Sequence, residues 1–171
     1  PPWSITGVTD HGYYHHAVNP ATGALYRRRM KEGFVWYQYL SGTWAQLPTN
    51  NVGEYDGACC GGAGWFQELN GFVYAQGGEF GGGSVYLFVP STGAWTKLAD
   101  NIAPLTGGTF TLGSQSAAAG VFVFGQNGNF YKLNQIRVVT RLSNPPVPLY
   151  DGTGYMGVMT ADPVTGQFLF L

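Results

Sequence analysis

The sequence predicts an all-β protein, and three observations lead to this fold class. Glycine (27 residues) and aromatic residues (16%) are abundant, which favours short strands with tight turns over helices. Short apolar and aromatic runs with two-residue alternation recur between turn signals along the chain. Similar phrases also return at a regular distance, which indicates a repeated structural unit.

The repeated unit is clearest around two tryptophans. "STGAWTKL" resembles "LSGTWAQL", and Trp95 stands 51 residues after Trp44. An aromatic strand precedes each tryptophan, and two further strands precede each of those. A third, fainter copy ends at Leu142, 44 residues after Leu98. Four antiparallel strands per roughly 48 residues is the pattern of a β-propeller blade.

A second repeated phrase connects the two ends of the chain. "NPATGALY" (Asn19–Tyr26) returns 143 residues later as "DPVTGQFL" (Asp162–Leu169). Its Pro-x-Thr-Gly core predicts a hairpin between the first two strands of a blade, with Gly23 free to take a positive φ and Gly166 at the matching position of the second phrase. We therefore expect one domain, 1–171, containing about three and a half blades. Their approximate bounds are 13–48, 64–99, 114–143 and a half-blade at 155–171.

Three and a half units do not form a closed ring, because propellers close with about four to eight blades and an open end exposes an apolar sheet face. Three explanations stay open. Residues are missing at one or both ends, a second copy or another chain completes the ring, or "WSITGV", from Trp3, closes a compact four-bladed ring.

The second unit resembles a kelch repeat. "GFVYAQGG" followed by "VYLFVPSTGAW" has an apolar strand closed by a glycine pair, then an aromatic strand, a turn and a tryptophan. The resemblance implies that Gly77–Gly78 allow close strand approach and that Trp95, like Trp44, packs between blades. It is partial elsewhere, since Arg28–Arg29 replace the glycine pair in the first unit and Val139 replaces the tryptophan in the third.

The residues that most often bind metals do not form a pattern here. His15 and His16 are adjacent, so on a strand they point to opposite faces and cannot both join His11 at one metal ion. Cys59 and Cys60 are also adjacent, without the spacing of zinc or redox motifs, and we expect them to be small residues entering the first strand of a blade. We expect no metal and no cofactor.

Four side chains are candidates for contact with a ligand or partner. Arg27 and Arg29 in "RRRMK" share one strand face and either bind a phosphate or acidic glycan or form a solvated edge that prevents aggregation. Trp65 and Phe80 could stack on a sugar or a partner. Trp36 lies in the middle of a strand, where a core position is expected.

Composition favours a binding or structural role. Charged residues make up 10% of the chain and the net charge is −1, so no field attracts nucleic acid, and no apolar stretch could span a membrane. Low charge with many Thr, Ser, Asn and Gly is typical of an extracellular or virion-surface protein. We predict a non-enzymatic interaction or structural module that contacts a protein partner or second chain. The alternatives are a carbohydrate-binding propeller and, through the kelch resemblance, a galactose oxidase-like copper enzyme.

Overall fold

The predicted all-β fold class is confirmed. The computed structural model describes residues 15–29, 35–48, 61–76, 83–100, 102, 112–116, 120–126, 129–143, 146 and 159–170. Within these ranges the regular structure consists of strands and one 3-10 turn, Gln67–Leu69. The strands are β1 (His16–Val18), β2 (Leu25–Arg29), β3 (Val35–Leu40), β4 (Thr43–Gln46), β5 (Gly61–Phe66), β6 (Gly71–Gln76), β7 (Ser84–Val89), β8 (Ala94–Ala99), β9 (Leu112–Ser116), β10 (Val121–Gln126), β11 (Asn129–Asn134), β12 (Val139–Arg141), β13 (Met159–Ala161) and β14 (Phe168–Phe170).

The strands form consecutive antiparallel meanders. Sheet 1 is β1-β2-β3-β4, sheet 2 is β5-β6-β7-β8, sheet 3 is β9-β10-β11-β12, and sheet 4 is the pair β13-β14. The first strands of successive sheets lie side by side, β1 against β5, β5 against β9 and β9 against β13. The predicted four-stranded antiparallel units are therefore present, stacked face to face in chain order.

Strand β5 begins earlier than its sequence suggests. Gly61 and Gly62 of the "CCGG" motif belong to the strand and pair with Gln76 and Ala75 of β6. A Cβ on Gly61 would lie 2.5 Å from the ring of Tyr74, so only glycine leaves room for that ring. Cys59 and Cys60 lie outside the described residues.

Sheet 2 is buried on both faces. Along β6, Phe72 and Tyr74 face sheet 1, whereas Val73 and Ala75 face sheet 3. The same alternation continues in β7, and the strand residues Gly71–Gln76 are all buried. Because both faces are covered, the alternation separates aromatic from aliphatic residues and not apolar from polar ones.

The core between sheets 1 and 2 is mainly aromatic, and its rings make tilted, stacked and edge contacts. Trp36 and Phe72 lie 4.6 Å apart and Tyr26 and Phe72 5.1 Å apart between ring centroids. Pairs of this kind contribute about 0.5–1.5 kcal/mol each beyond the area that they bury. The buried aromatic residues of this layer are Tyr26, Trp36, Trp65, Phe72, Tyr74, Tyr86, Phe88 and Trp95.

The other two layers continue the same arrangement. Between sheets 2 and 3, Phe66 and the aliphatic side chains of β6 and β7 meet the aromatic side chains Phe122, Phe124 and Tyr131 of sheet 3. Between sheets 3 and 4, a smaller cluster is built around Phe130 and Met159. Among the described strands, no ladder of backbone hydrogen bonds joins one sheet to the next, and the packing between sheets is made mainly by side chains.

The repeat is also visible in single cross-strand pairs. Trp44 pairs with Tyr39 and Trp95 with Phe88, with ring centroids 5.1 and 4.9 Å apart at nearly equal angles. Val139 occupies the same position of sheet 3, as the sequence comparison predicted. Trp95 is buried between sheets 1 and 2, and Trp44 is half-buried on the other face of sheet 1.

The hairpins predicted from the two Pro-x-Thr-Gly phrases are confirmed. Side-chain Oδ1 of Asn19 and of Asp162 accepts a 2.9 Å hydrogen bond from the N–H two residues later. The backbone carbonyls of the same two residues accept hydrogen bonds from Gly23 (2.8 Å) and Gly166 (2.9 Å). These glycines have φ of 71° and 73°, and each hairpin joins the first two strands of its sheet.

The second hairpin generates a prediction about Asp162. The hydroxyl of Thr165 donates a 2.6 Å hydrogen bond to its carboxylate, and this bond, followed by that from the Val164 N–H, lowers the pKa of Asp162. We predict that Thr165→Val raises the pKa of Asp162 toward its usual value in an NMR carboxyl titration, whereas Thr22→Val does not.

The sign of the pH effect follows from this shift. The carboxylate stabilises the folded state above the pKa of the unfolded chain, and this stabilisation is lost as the pH falls through the lower pKa of the folded state. The pKa of Asp162 staying unchanged in Thr165→Val would contradict the assignment.

Candidate functional site

Polar side chains are buried between sheets 1 and 2, and we call them the inter-sheet polar cluster: His15, Arg28, Tyr74, Gln76 and Tyr86. Their exposed fractions lie between 0% and 4%. Charged and polar groups at this depth require hydrogen-bond partners, because transfer from water is costly otherwise. The need for such partners therefore constrains the geometry of the cluster.

Arg28 crosses from sheet 1 to sheet 2. Strand β2 is hydrogen-bonded on both sides, and alternation directs Arg28 to the same face as Tyr26, toward sheet 2. Its Nη1 donates a 2.8 Å hydrogen bond to the hydroxyl of Tyr74, and its guanidinium carbon lies 5.5 Å from the centroid of that ring. The backbone N–H of Arg28 donates to the carbonyl of His15 at 3.0 Å.

His15 lies beside this contact as a neutral imidazole. Its ring meets the ring of Tyr74 edge-on, with centroids 6.0 Å apart. Burial, and then the nearby positive charge of Arg28, lower the pKa of His15 to about 3. A buried imidazole next to a guanidinium stays uncharged at neutral pH for both reasons.

The remaining members complete the cluster on sheet 2. The hydroxyl of Tyr86 donates to Oε1 of Gln76 at 3.4 Å, and the rings of Tyr74 and Tyr86 stack with centroids 6.4 Å apart. Chemically the cluster contains one permanent cation, the guanidinium of Arg28, and the phenol hydroxyls of Tyr74 and Tyr86. Groups of this kind form hydrogen bonds and hold one another in position. Across the described ranges, no three His, Cys, Asp or Glu side chains come together as a metal-ligand set.

The structure places two of the predicted contact residues in unexpected surroundings. Trp65 is 6% exposed, stacks on Tyr26 at 5.9 Å, and donates from Nε1 to Gln67 at 3.1 Å. This burial does not fit the predicted role in stacking on a ligand. Arg27 is half-buried on the opposite face of β2 from Arg28 and is paired with His16 and Tyr37 in the ladder.

Some of the residues predicted from the sequence to contact a ligand or to define the repeat lie outside the part of the chain that the structure describes. Phe80 and Gly77–Gly78 lie outside the described residues, as does the side chain of Arg29, whose backbone ends β2. The interpretation of the arginine run as a solvated sheet edge is wrong, because β2 lies between β1 and β3 and Arg28 is 1% exposed. The sequence contained a signal for this burial, since Arg28 alternates with the buried Tyr26.

A second feature is the set of turns that we call the hairpin rim: the connections between first and second strands and between third and fourth strands. In a meander these turns share one end of the sheet. Sheets 2 and 3 present them on the same side, since a Cβ on Gly120 would lie 2.6 Å from the amide nitrogen of Gln135 and 3.7 Å from a carboxylate oxygen of Glu68. The exposed apolar side chains at or beside the rim are Val18, Leu40, Ile136, Val138 and Val164.

Comparison with known proteins decides the fold. No family model matches the chain, and no curated protein matches it. Among solved structures, TolB from Acinetobacter baumannii is similar, with a TM-score of 0.52 and 14% sequence identity over 94% of this chain and 41% of the TolB chain. The chain has a β-propeller fold. Its sheets are propeller blades, and the chain spans less than half the length of this neighbour.

At this identity the likeness concerns the propeller architecture alone. It agrees with the side-by-side first strands and with the consecutive order of strands in each blade. Within the residues that the structure describes, no helix is long and apolar enough to cross a membrane.

The buried position of His15 predicts an acid-sensitive fold. Between about pH 6.5 and pH 3 the unfolded chain binds a proton at His15 that the folded chain does not. The free energy of unfolding therefore falls as the pH falls through this window, by up to about 1.4 kcal/mol per pH unit from this residue. Urea unfolding across the window should show a smaller slope for His15→Gln than for the wild type. Equal pH dependence of the free energy of unfolding in His15→Gln and the wild type would refute this prediction.

The contact between Arg28 and Tyr74 predicts strong energetic coupling between blades. In a double-mutant cycle of Arg28→Met and Tyr74→Phe, we expect a coupling free energy of about 1.5–3 kcal/mol from urea unfolding. The matched control is the surface pair Lys97–Asp100, whose charged atoms are 3.3 Å apart and which should couple by about 0.2–1 kcal/mol. Equal coupling in the two cycles would show that the buried contact has no special role.

Proposed function

We propose that this chain is a propeller module that binds another protein through its hairpin rim and that it is not an enzyme. Its place is the outside of a cell or the surface of a virion, for which low charge and a composition rich in Gly, Ser, Thr and Asn are the supporting features. The polar groups of the inter-sheet cluster are buried in the blade interface and are not accessible to a partner. We therefore assign the partner-binding surface to the turns.

The observation that carries this proposal is the exposure of apolar side chains on rigid turns of the rim. Val164 is 85% exposed and Ile136 is 78% exposed. Each lies in a turn that is closed by a side chain of the same turn. The N–H of Val164 donates to the carboxylate of Asp162, and the N–H of Ile136 donates to the side-chain oxygen of Asn134. Exposed apolar side chains on preorganised turns are typical of protein-binding sites, because little entropy is lost on binding.

A kelch type of propeller is a finer part of the same proposal. Trp95 gives it support, since its indole N–H donates to the carbonyl of Pro48 in the preceding blade at 3.1 Å. The tryptophan thereby joins two blades, as the kelch resemblance implies. Partial kelch features in the other blades agree with repeats that have diverged.

The proposal is tested by capturing partners on the purified, immobilised chain from the fluid or virion preparation in which it occurs. Ile136→Ser combined with Val164→Ser should lower the apparent affinity for the captured protein by about tenfold, because both apolar contacts are lost. Gln46→Ser, an exposed change on β4 away from the turns, is the matched control and should retain binding.

Two results would refute the proposal. Equal binding by the rim variant would show that the partner does not use these turns. Selective binding of a sugar in a glycan screen, or of stoichiometric copper together with alcohol oxidation, would replace protein binding by one of the two alternative functions.

A further inference from the structure

The outer side of sheet 3 carries an unusual charge distribution. From residue 101 to residue 150 the sequence has no Asp or Glu, and its cations are Lys132, Arg137 and Arg141. All three lie on β11, β12 or the turn between them, the two outer strands of the sheet. We call these three residues the basic edge.

The basic edge differs from the corresponding edge of sheet 2. There the single cation, Lys97, lies 3.3 Å from the carboxylate of Asp100 in the same sheet. Sheet 3 contributes no carboxylate to its own edge, because residues 101–150 contain no Asp or Glu. The positive charge of the basic edge is thus not balanced within its own blade.

Exposure and orientation favour contact with an anion. Arg137 and Arg141 are exposed, and Arg137 stands at the tip of the turn with φ of 65°. Nη2 of Arg141 donates a 2.8 Å hydrogen bond to Oδ1 of Asn129, which holds the guanidinium along the sheet surface. Ile136 and Val138, 78% and 47% exposed, lie beside these cations and add apolar surface.

The backbone of β12 adds a polypeptide-specific feature. Asn134 N–H donates to Val138 and Leu142 N–H donates to Phe130, so even-numbered residues of this segment bond to β11. By the alternation of antiparallel ladders, the N–H and C=O groups of Val139 point to the outer edge. Among the described strands, β12 pairs only with β11, and Thr140 and Arg141 of β12 are exposed. An exposed strand edge of this kind can pair with an added strand.

We propose that the basic edge binds an acidic segment of a partner protein, which adds as an extended strand beside β12. This proposal goes beyond the rim contact proposed above, because it adds a second site, the outer edge of β12, and names the chemistry of the partner that binds there. The cations select carboxylates by charge complementarity, and the strand edge selects a polypeptide over a lipid or a nucleic acid, because only a peptide backbone matches its hydrogen-bond spacing.

The test uses the full chain and a fluorescein-labelled peptide of alternating Glu and Thr, followed by fluorescence anisotropy. Arg137→Gln combined with Arg141→Gln should raise Kd by about tenfold, and Lys97→Gln should change it by less than about twofold. Val139→Pro removes an outward N–H while leaving the bonds to β11, and it should also raise Kd by about tenfold.

A change in the ligand tests strand addition without altering the protein. The same peptide with alternate backbone nitrogens methylated cannot pair along one edge, so its binding should be weaker by about tenfold. Thermal unfolding followed by circular dichroism identifies any variant that has not folded. For such a variant, the test of strand addition is the comparison of methylated and unmethylated peptide on the wild-type chain. A peptide of alternating Lys and Thr should not bind.

The outcomes separate this inference from the proposed function. Equal binding of methylated and unmethylated peptides, or binding of phosphatidylserine vesicles with no binding of the acidic peptide, overturns strand addition. If the rim variant loses its captured partner while the acidic peptide fails to bind, the protein-binding function stands and this inference fails. If no protein is captured through the rim but the peptide binds as expected, the rim proposal fails and the basic edge stands.

Discussion

Every interior sheet of this fold must be covered on both faces by its neighbours, and most other features follow from this constraint. The strands β6 and β7 contribute side chains alternately to the layer shared with sheet 1 and the layer shared with sheet 3. Neither face can then carry uncompensated charge. The low proportion of charged residues, 10%, is the compositional result of this requirement. In β6 and β7, aromatic rings lie on the side of sheet 1 and aliphatic groups on the side of sheet 3, where β5 adds the ring of Phe66.

The same constraint explains why Arg28 is informative. A guanidinium buried at 1% exposure is costly unless hydrogen bonds replace its hydration. Part of this replacement comes from Tyr74 on the facing blade, so the contact is satisfied only when sheets 1 and 2 are docked. His15 stays neutral beside it because burial, and then repulsion by the Arg28 cation, lower the pKa of its imidazole. The contact between Arg28 and Tyr74 thus adds a directional hydrogen bond to an interface that otherwise consists mainly of aromatic packing.

The sequence predicted the parts of the fold that local chemistry determines. The hairpins at Asn19 and Asp162 are set by side chains within five residues, and the tryptophan position by its place in the repeat. The partners of Arg28 and Trp65 depend on which sheet covers which face, and this is a property of stacking that a single strand does not reveal. Trp65 precedes a polar turn and was expected at the surface, but its pairing with Phe72 directs both rings toward sheet 1.

Function in such a fold is expected where the repeat is relaxed, because residues that join blades have little freedom to vary. Sheet 3 departs from the repeat at its outer strand, where Val139 replaces the tryptophan of the other two blades. Its outer strand has three residues, against four in β4 and six in β8. Without a large ring to bury, this strand is released from the packing role that Trp95 performs in sheet 2. The cations of the chain's acid-free segment gather at this strand and its neighbour, so the relaxed position and the charged surface coincide.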